Sequence, residues 1–181
     1  MLPNQARFLF DFLLPQLKSE QAITQKIFSS IPTDAGGYRP GPKSRSAFEL
    51  ARHVALVEIW FLDAVIHRGF GEVAPLSETV RTCQDIAQWY AENFTRRVAI
   101  LKELSDEDLA TQVDFIGLRK DPAVAYLNIA IRHSVHHRGQ LSAYLRLLGA
   151  RVPAIYVESA DEPFPATDGS TLATDERPPA F

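Results

Sequence analysis

Apolar residues recur at intervals of three and four along four long segments of the chain, the spacing of one face of an α-helix. The first segment runs from about Asn4 to Ser30 and contains Pro15, which predicts a kink or a break near Phe12 to Leu14. Its apolar stripe consists of Phe8, Leu13, Leu14, Leu17, Ile23, Ile27 and Phe28. A loop dense in glycine and proline follows at residues 31–43.

The second segment carries clear boundary signals. Ser46 followed by Glu49 has the spacing of a capping box, in which each side chain caps the other's backbone N–H. The helical pattern then continues for about six turns and is predicted to stop at Gly69, a candidate C-terminal cap.

The third and fourth segments complete the helical pattern. The third extends from about Ser77 to Leu104, with Val80, Cys83, Ala87, Tyr90, Phe94, Val98 and Leu101 on its apolar face. Ser105 with Asp108 predicts one further short helical turn. The fourth segment opens with Asp121 and Pro122, a favourable start for a helix, and closes at Gly149.

These four amphipathic segments predict an all-α protein, a four-helix bundle, and no strand pattern competes. Residues 1–162 are predicted to form the bundle and residues 163–181 an extended C-terminal tail. The stretch from Glu158 onward is rich in proline, acidic residues and threonine. Two interpretations remain open for it: an arm lying over the bundle or a partner subunit, and a loose terminus.

Composition narrows the class of protein. Hydrophobic residues make up 46% of the 181 positions and charged residues 23%, which favours one globular domain. The net charge of -3 argues against a nucleic-acid partner. The single cysteine, Cys83, cannot form an internal disulfide, which fits a cytoplasmic location. The N-terminus is unlike a signal peptide, and no apolar run is long enough to predict a membrane contact.

Three of the five histidines fall within RHSVHHRGQL, residues 132–141. His133 and His137 are four apart and therefore lie on one helix face, whereas His136 lies about 100° away from His137. Two imidazoles one turn apart can bind one divalent metal ion, although two ligands are rarely enough. The spacing alone leaves two interpretations open, a metal site and a histidine-rich exposed face.

Two further histidines are available as a third ligand. His53 lies on an apolar face of the second helix, where an unpartnered imidazole would be costly to bury. His67 lies at the end of that helix, where interaction with the helix dipole is the simpler interpretation. Ser134 occupies the place of the glutamate in HExxH, which argues against a zinc protease.

Three stretches in order resemble the DinB/YfiT-like family of metal-dependent four-helix bundles, the damage-inducible proteins unrelated to the polymerase of that name. They are LLPQLKSEQAITQKIFSSIP, YRPGPKSRSAFELARHVALVEIWF and HSVHHRGQLSAYLRLLGARVPAIYVESADE, which together span about residues 10–162. The resemblance implies one divalent metal ion, nickel or zinc, bound by His53, His133 and His137.

The resemblance also implies a reaction. Some relatives are thiol-dependent, so one hypothesis is a low-molecular-weight thiol activated for attack on an electrophilic small molecule. The enzyme would then be a metal-dependent thiol S-transferase or a related hydrolase or isomerase. Candidate substrate-pocket residues are Trp60, Tyr126, Gln140 and Tyr144, with core packing as the alternative for each. Arg138 is expected to form a structural ion pair with a loop or the tail.

Two other functions remain open: a non-enzymatic metal-binding stress-response protein, and a pH or stress switch built on His133, His136 and His137. Apolar residues on more than one helix face predict a homodimer.

Overall fold

The computed structural model describes residues 1–163, and the predicted tail at residues 164–181 lies outside the described residues. In chain order, the described part contains α1 (Pro3–Ser30), α2 (Ala47–His67), α3 (Cys83–Lys102), α4 (Asp106–Ala110), β1 (Gln112–Phe115), β2 (Arg119–Pro122) and α5 (Ala125–Leu147). The protein is therefore mostly helical, as the hydrophobic spacing predicts. No helix within residues 1–163 combines the length and the apolarity that crossing a membrane requires.

The four long helices pack around one apolar core. Helix α1 contacts α3 and α5, and α2 contacts the same two helices from the other side. The core draws on all four helices and includes Leu17, Leu62, Tyr90, Leu127 and Leu145, each completely buried. This packing brings α2 and α5, the two helices that carry the candidate metal ligands, into direct contact.

Hydrogen-bonded caps set the starts of three helices. At α2, the Glu49 N–H donates to Ser46 Oγ at 3.2 Å, and the Ser46 N–H donates to Glu49 Oε2 at 2.8 Å. The predicted capping box is confirmed. The predicted turn after Ser105 is also confirmed, because Ser105 and Asp108 cap α4 in the same reciprocal way.

A two-stranded hairpin corrects the expectation that strands are absent. Strands β1 and β2 pair antiparallel, with Gln112 opposite Pro122 and Phe115 opposite Arg119. The hairpin turns through Ile116 and Gly117, which both have positive φ. Each strand has only four residues, too few for a clear alternation of apolar and polar positions.

Helix boundaries differ from the sequence-based expectation at three places. Helix α3 begins at Cys83 rather than near Ser77, because Thr82 and Asp85 form its capping box. The predicted start of the last helix at Asp121 is wrong, since Asp121 belongs to β2 and accepts a hydrogen bond from Arg119. Helix α2 ends at His67, and Arg68, not Gly69, adopts the left-handed conformation, with φ 55°.

Helix α1 departs from the prediction in two respects. It runs through Pro15 without a break. Phe8 is not part of its buried stripe, because the side chain is 76% exposed, and Phe10 lies in the core instead.

The chain after α5 folds back onto the helices. Asp161 forms an ion pair with Arg146 of α5, and Glu162 accepts hydrogen bonds from Lys26 of α1 and from the Ala154 N–H. Residues up to 163 thus contact the helices of their own chain. The boundary predicted between residues 162 and 163 stays a prediction.

Candidate metal centre

His53, His133 and His137 converge where α2 packs against α5. One ring nitrogen from each lies within 4.8 Å of the others, and the group is the one set of three potential ligands found within residues 1–163. The Nε2 atoms of His53 and His133 are 3.1 Å apart. The ring centroid of His53 lies 4.9 Å from that of His133 and 4.8 Å from that of His137. The three residues predicted from the sequence are therefore brought together.

The helix geometry explains this convergence. His133 and His137 are one turn apart on α5, and their ring centroids are 4.5 Å apart. His53 reaches them from the middle turns of α2, whose neighbouring residues Val54 and Ala55 are completely buried in the core. Each imidazole is half-buried, so the cluster lies at the edge of the core and remains open to solvent on one side.

Burial keeps these imidazoles neutral. Loss of solvation, with a smaller contribution from the Arg45 charge, lowers the pKa of His53 to about 4. Loss of solvation and the neighbouring His137 lower the pKa of His133 to about 3. The pKa of His137 is also lowered, mainly by burial. Neutral imidazole is the form that binds a metal ion, so the protonation state of the cluster at neutral pH suits this role.

Gln140 distinguishes His137 from its neighbour His136. The Gln140 Oε1 atom lies 2.8 Å from His137 Nδ1, and because a carbonyl oxygen only accepts, Nδ1 carries the proton. This leaves the Nε2 lone pair of His137 free to bind a metal ion. His136 is exposed, and its Nε2 lies 3.5 Å from the Gln140 amide nitrogen. His136 therefore borders the cluster without being part of it.

The donor set fits a divalent transition metal ion. Three imidazole nitrogens of this kind suit zinc, nickel, copper or iron rather than magnesium or calcium. The Nδ1 atom of His133 is buried and has no hydrogen-bond partner within the described part of the chain. A protonated Nδ1 would leave His133 Nε2 as the ligand atom, facing His53 Nε2. The cluster is thus three neutral nitrogen donors with ring nitrogens aimed at one another.

A buried polar network lies beside the cluster and joins α2, α3 and α5. Glu58 of α2 is 1% exposed and accepts hydrogen bonds from Tyr90 of α3, at 2.7 Å, and from Ser134 of α5. Burial raises the pKa of Glu58 to about 7. Sequence reasoning missed Glu58, because a single glutamate in an apolar helix face gives no indication of its partners on other helices.

Arg138 extends this network towards α1. Its guanidinium forms an ion pair with Glu20, donates to Thr24 Oγ1 at 3.2 Å and donates to the Tyr156 hydroxyl at 2.6 Å. The expected structural ion pair exists, but its acid lies on α1 rather than in a loop or the tail. The segment after α5 contributes Tyr156 instead.

The predicted substrate-pocket residues separate into two groups. Gln140 and Tyr144 line a cavity of about 490 Å³ that His137 also borders. Tyr126 is completely buried and its hydroxyl donates to the Val113 carbonyl, which is a packing role and leaves no surface for a substrate. Trp60 borders a different cavity, of about 500 Å³, and its indole N–H donates to the Gly71 carbonyl. A substrate role for Trp60, Gln140 and Tyr144 stays a prediction.

Fold and site together define a class: a mostly helical protein in which two packed helices present three neutral histidines that could hold a metal ion. The model of the DinB family matches residues 6–168, nearly the whole chain. The chain belongs to the DinB family.

Curated relatives and solved structures agree with this assignment. The chain is 30% identical over 134 residues to the uncharacterized protein YjoA of Bacillus subtilis, covering 72% of this chain and 85% of YjoA. It is 26% identical over 153 residues to the uncharacterized protein YrdA of the same organism, covering 84% of this chain and 90% of YrdA.

Two crystal structures of DinB-like proteins share the fold. The structure of YjoA from Bacillus subtilis aligns with a TM-score of 0.66 at 27% identity, covering 79% of this chain and 96% of that chain. A DinB-like protein from Bacillus cereus aligns with a TM-score of 0.68 at 28% identity, covering 80% and 95%. These neighbours establish the fold and the family, and their names describe no reaction.

Proposed function

We propose that the protein binds one divalent metal ion, nickel or zinc, through His53, His133 and His137, and uses it in a thiol-dependent transfer reaction. The observation that carries the metal site is the convergence of three neutral imidazole nitrogens within 4.8 Å of one another. The four long helices, packed in pairs around one core, fit a four-helix bundle of the kind that builds such sites between facing helices.

The surroundings of the three imidazoles hold them in the form that binds a metal ion. Gln140 Oε1 accepts a hydrogen bond from the Nδ1–H of His137. This bond fixes the tautomer in which the Nε2 lone pair is free to bind a metal ion. Burial keeps His53 and His133 neutral, so no proton has to leave before a metal ion binds at neutral pH. A bound divalent ion would supply Lewis acidity, which lowers the pKa of a thiol or water beside it. The solvent-open side of the cluster leaves room for such a ligand.

Metal content in purified variants tests the ligand assignment. Protein made without a histidine tag is loaded with Ni²⁺ or Zn²⁺, desalted and analysed for metal per chain. We expect about one ion per chain in the wild type and a sharp loss in His53→Ala, His133→Ala and His137→Ala, because each change removes one of three protein ligands. His136→Ala is the matched control and should retain its metal. Equal retention in all four variants would refute the assignment.

The proposed reaction needs a separate test. Metal-loaded protein is incubated with a panel of low-molecular-weight thiols and electrophiles, and thioether products are followed by mass spectrometry. We expect products with the wild type and none above background with His133→Ala. Full metal occupancy without any product across the panel would contradict the transferase and favour the non-enzymatic metal-binding protein.

A further inference from the structure

Two cavities flank the histidine cluster, and one residue borders both. His53 borders a cavity of about 290 Å³ together with Arg45, Glu49, Arg52 and Leu56. His137 borders the cavity of about 490 Å³ together with Lys43, Ser44, Arg45, Leu50, Gln140 and Tyr144. Arg45 is common to the two, so it borders the cavity beside His53 and the cavity beside His137.

Three cations border these cavities without an ion-pair partner. Lys43, Arg45 and Arg52 are exposed, and none of them forms an ion pair with a carboxylate anywhere in residues 1–163. Of the 18 lysines and arginines in the same part of the chain, ten form ion pairs and eight do not, and three of these eight border the two cavities. The net charge of the whole chain is -3, so the positive entrance does not follow from overall composition.

Glu49 is the one acid that borders either cavity, and its oxygens are already engaged. Its Oε1 accepts from Arg39 at 2.7 Å, and its Oε2 accepts from the Ser46 N–H at 2.8 Å. The Arg39 charge therefore offsets the Glu49 charge, which leaves Lys43, Arg45 and Arg52 in excess.

The backbone that carries Arg45 is held in place while its guanidinium is free. The Tyr144 hydroxyl donates to the Arg45 carbonyl at 3.2 Å, and Arg39 donates to the Ser44 carbonyl at 2.9 Å. Arg45 also lies directly before the Ser46 cap of α2. A fixed backbone with an unpaired guanidinium is the arrangement expected of a residue that pairs with an anion from outside the protein.

We propose that the site takes a small molecule carrying an anionic group, a carboxylate or a phosphate, which pairs with Arg45 while the rest of the molecule reaches the histidine cluster. Arg52 and Lys43 add attraction from the two sides. This inference rests on the proposed function, because it names the substrate class of the same site. Arg45 is a binding residue for the charged group, and the histidines remain the metal ligands.

Two thiols of matched size test the inference by binding rather than by turnover. Co²⁺-loaded protein is titrated with 3-mercaptopropionate and with the neutral 3-mercaptopropionamide, and thiolate binding is followed by ultraviolet–visible absorption. We expect the wild type to bind the carboxylate at least about tenfold more tightly, a preference that falls as salt is raised. Arg45→Gln should lose the preference and bind the amide as the wild type does. Arg96→Gln, an exposed arginine on α3, is the control that should retain it.

Failure of the metal site and failure of this inference give different results. Cobalt per chain is measured in every sample, and its absence in the wild type contradicts the proposed function. In metal-free protein, succinate but not succinamide should shift the backbone amide NMR signals of residues 43–53, and Arg45→Gln should abolish these shifts. Full cobalt occupancy with equal affinity for the two thiols, or succinate shifts that survive in Arg45→Gln, would overturn the assignment to Arg45.

Discussion

Gln140 shows how one uncharged side chain can determine which of two adjacent histidines serves as a ligand. Its carbonyl oxygen fixes the proton on His137 Nδ1, whereas its amide nitrogen faces His136. The helical wheel separates His133 and His137 from His136, but the hydrogen bond that orients the His137 ring becomes visible only in the structure. Sequence spacing therefore places His133 and His137 on one face and sets His136 apart, whereas the contacts of Gln140 show which ring nitrogen of His137 is free.

Removing this hydrogen bond should weaken metal binding. In Gln140→Ala the His137 ring is free to rotate and to exchange tautomers, so we expect affinity for Zn²⁺ to fall by roughly 10- to 100-fold, the usual effect of losing such a partner. Competition with a chromophoric chelator measures the affinity. Ser142→Ala, two positions further along α5, is the control and should bind as the wild type does. Unchanged affinity in Gln140→Ala would show that the ring is held by other contacts.

The lowered pKa values of the histidines predict how the metal-free protein responds to acid. The unfolded chain takes up protons on these residues near pH 6.5, whereas folded His53 and His133 resist protonation until about pH 4 and about pH 3. The free energy of unfolding of the metal-free protein is therefore unaffected by protonation of these two histidines above pH 6.5. It declines as the pH falls from 6.5 towards 4, because protons then bind the unfolded chain in preference to the folded one. In urea unfolding, the wild type should lose stability relative to His133→Gln as the pH falls from 6.5. A constant difference between them from pH 7 to pH 4.5 would contradict the assignment.

At the scale of the secondary-structure elements, two neighbouring faces of α5 carry polar groups with different surroundings. His133 and His137 point to the solvent-open cluster, whereas the next residues along the chain, Ser134 and Arg138, are buried and bind Glu58 and Glu20. Hydrogen bonds from α5 thus reach both α2 and α1. These bonds fix the rotation of α5 about its own axis, and the positions of the two histidines depend on that rotation.

Glu58 should make the free energy of unfolding depend on pH with the opposite sign to the histidines. Its pKa is raised from 4.5 to about 7, so folding favours the neutral acid and stability from this group is lost as pH rises from 4.5 through 7. Glu58→Gln removes the titration. Between pH 4.5 and pH 8, the free energy of unfolding of this variant should rise relative to that of the wild type by on the order of 3 kcal/mol, at 1.36 kcal/mol per pKa unit.

Two comparisons make the Glu58 prediction specific. Chemical denaturation at several pH values gives the free energies of unfolding, and only the change with pH is attributed to Glu58. Glu58→Ala should be less stable at every pH, because it leaves the Tyr90 and Ser134 hydroxyls without an acceptor. A constant difference between the wild type and Glu58→Gln across this range would show that Glu58 keeps an ordinary pKa.

The helices and the hairpin show what sequence periodicity can and cannot predict. The four long helices, the caps at Ser46 and Ser105 and the pair His133 and His137 are predicted, because each depends on residues close together in sequence. His53, 80 positions before His133, is predicted as the third ligand only through the family resemblance. The hairpin and the true start of α5 are missed, since Asp121 and Pro122 are equally suited to a helix start and to the strand they occupy. The acid that pairs with Arg138 lies 118 positions away, and local spacing carries no information about it.

At the scale of the whole molecule, the outer face of α1 exposes two aromatic rings one helical turn apart. Phe8 is 76% exposed and Phe12 is 61% exposed. The sequence predicts a homodimer, and we propose that the protein forms one in solution. Light scattering after size-exclusion chromatography at micromolar concentration should give about twice the mass of the chain.

The same measurement on a double variant shows whether these rings contribute. Phe8→Ser with Phe12→Ser should shift the protein towards the monomer, because the dimer would lose apolar area that it buries. Ile100→Ser with Leu147→Ser, which changes exposed apolar residues of α3 and α5, is the matched control. A wild-type mass equal to that of one chain would contradict the dimer itself.

The histidines and two of the three entrance cations come from structurally different parts of the chain. The three histidines are fixed by the packing of α2 against α5, whereas Lys43 and Arg45 belong to the connection between α1 and α2. Replacement of residues 39–45 during descent from a common ancestor would change the charge at the entrance and leave every histidine in place. A change in ligand preference therefore needs no change in the two helices that carry the histidines.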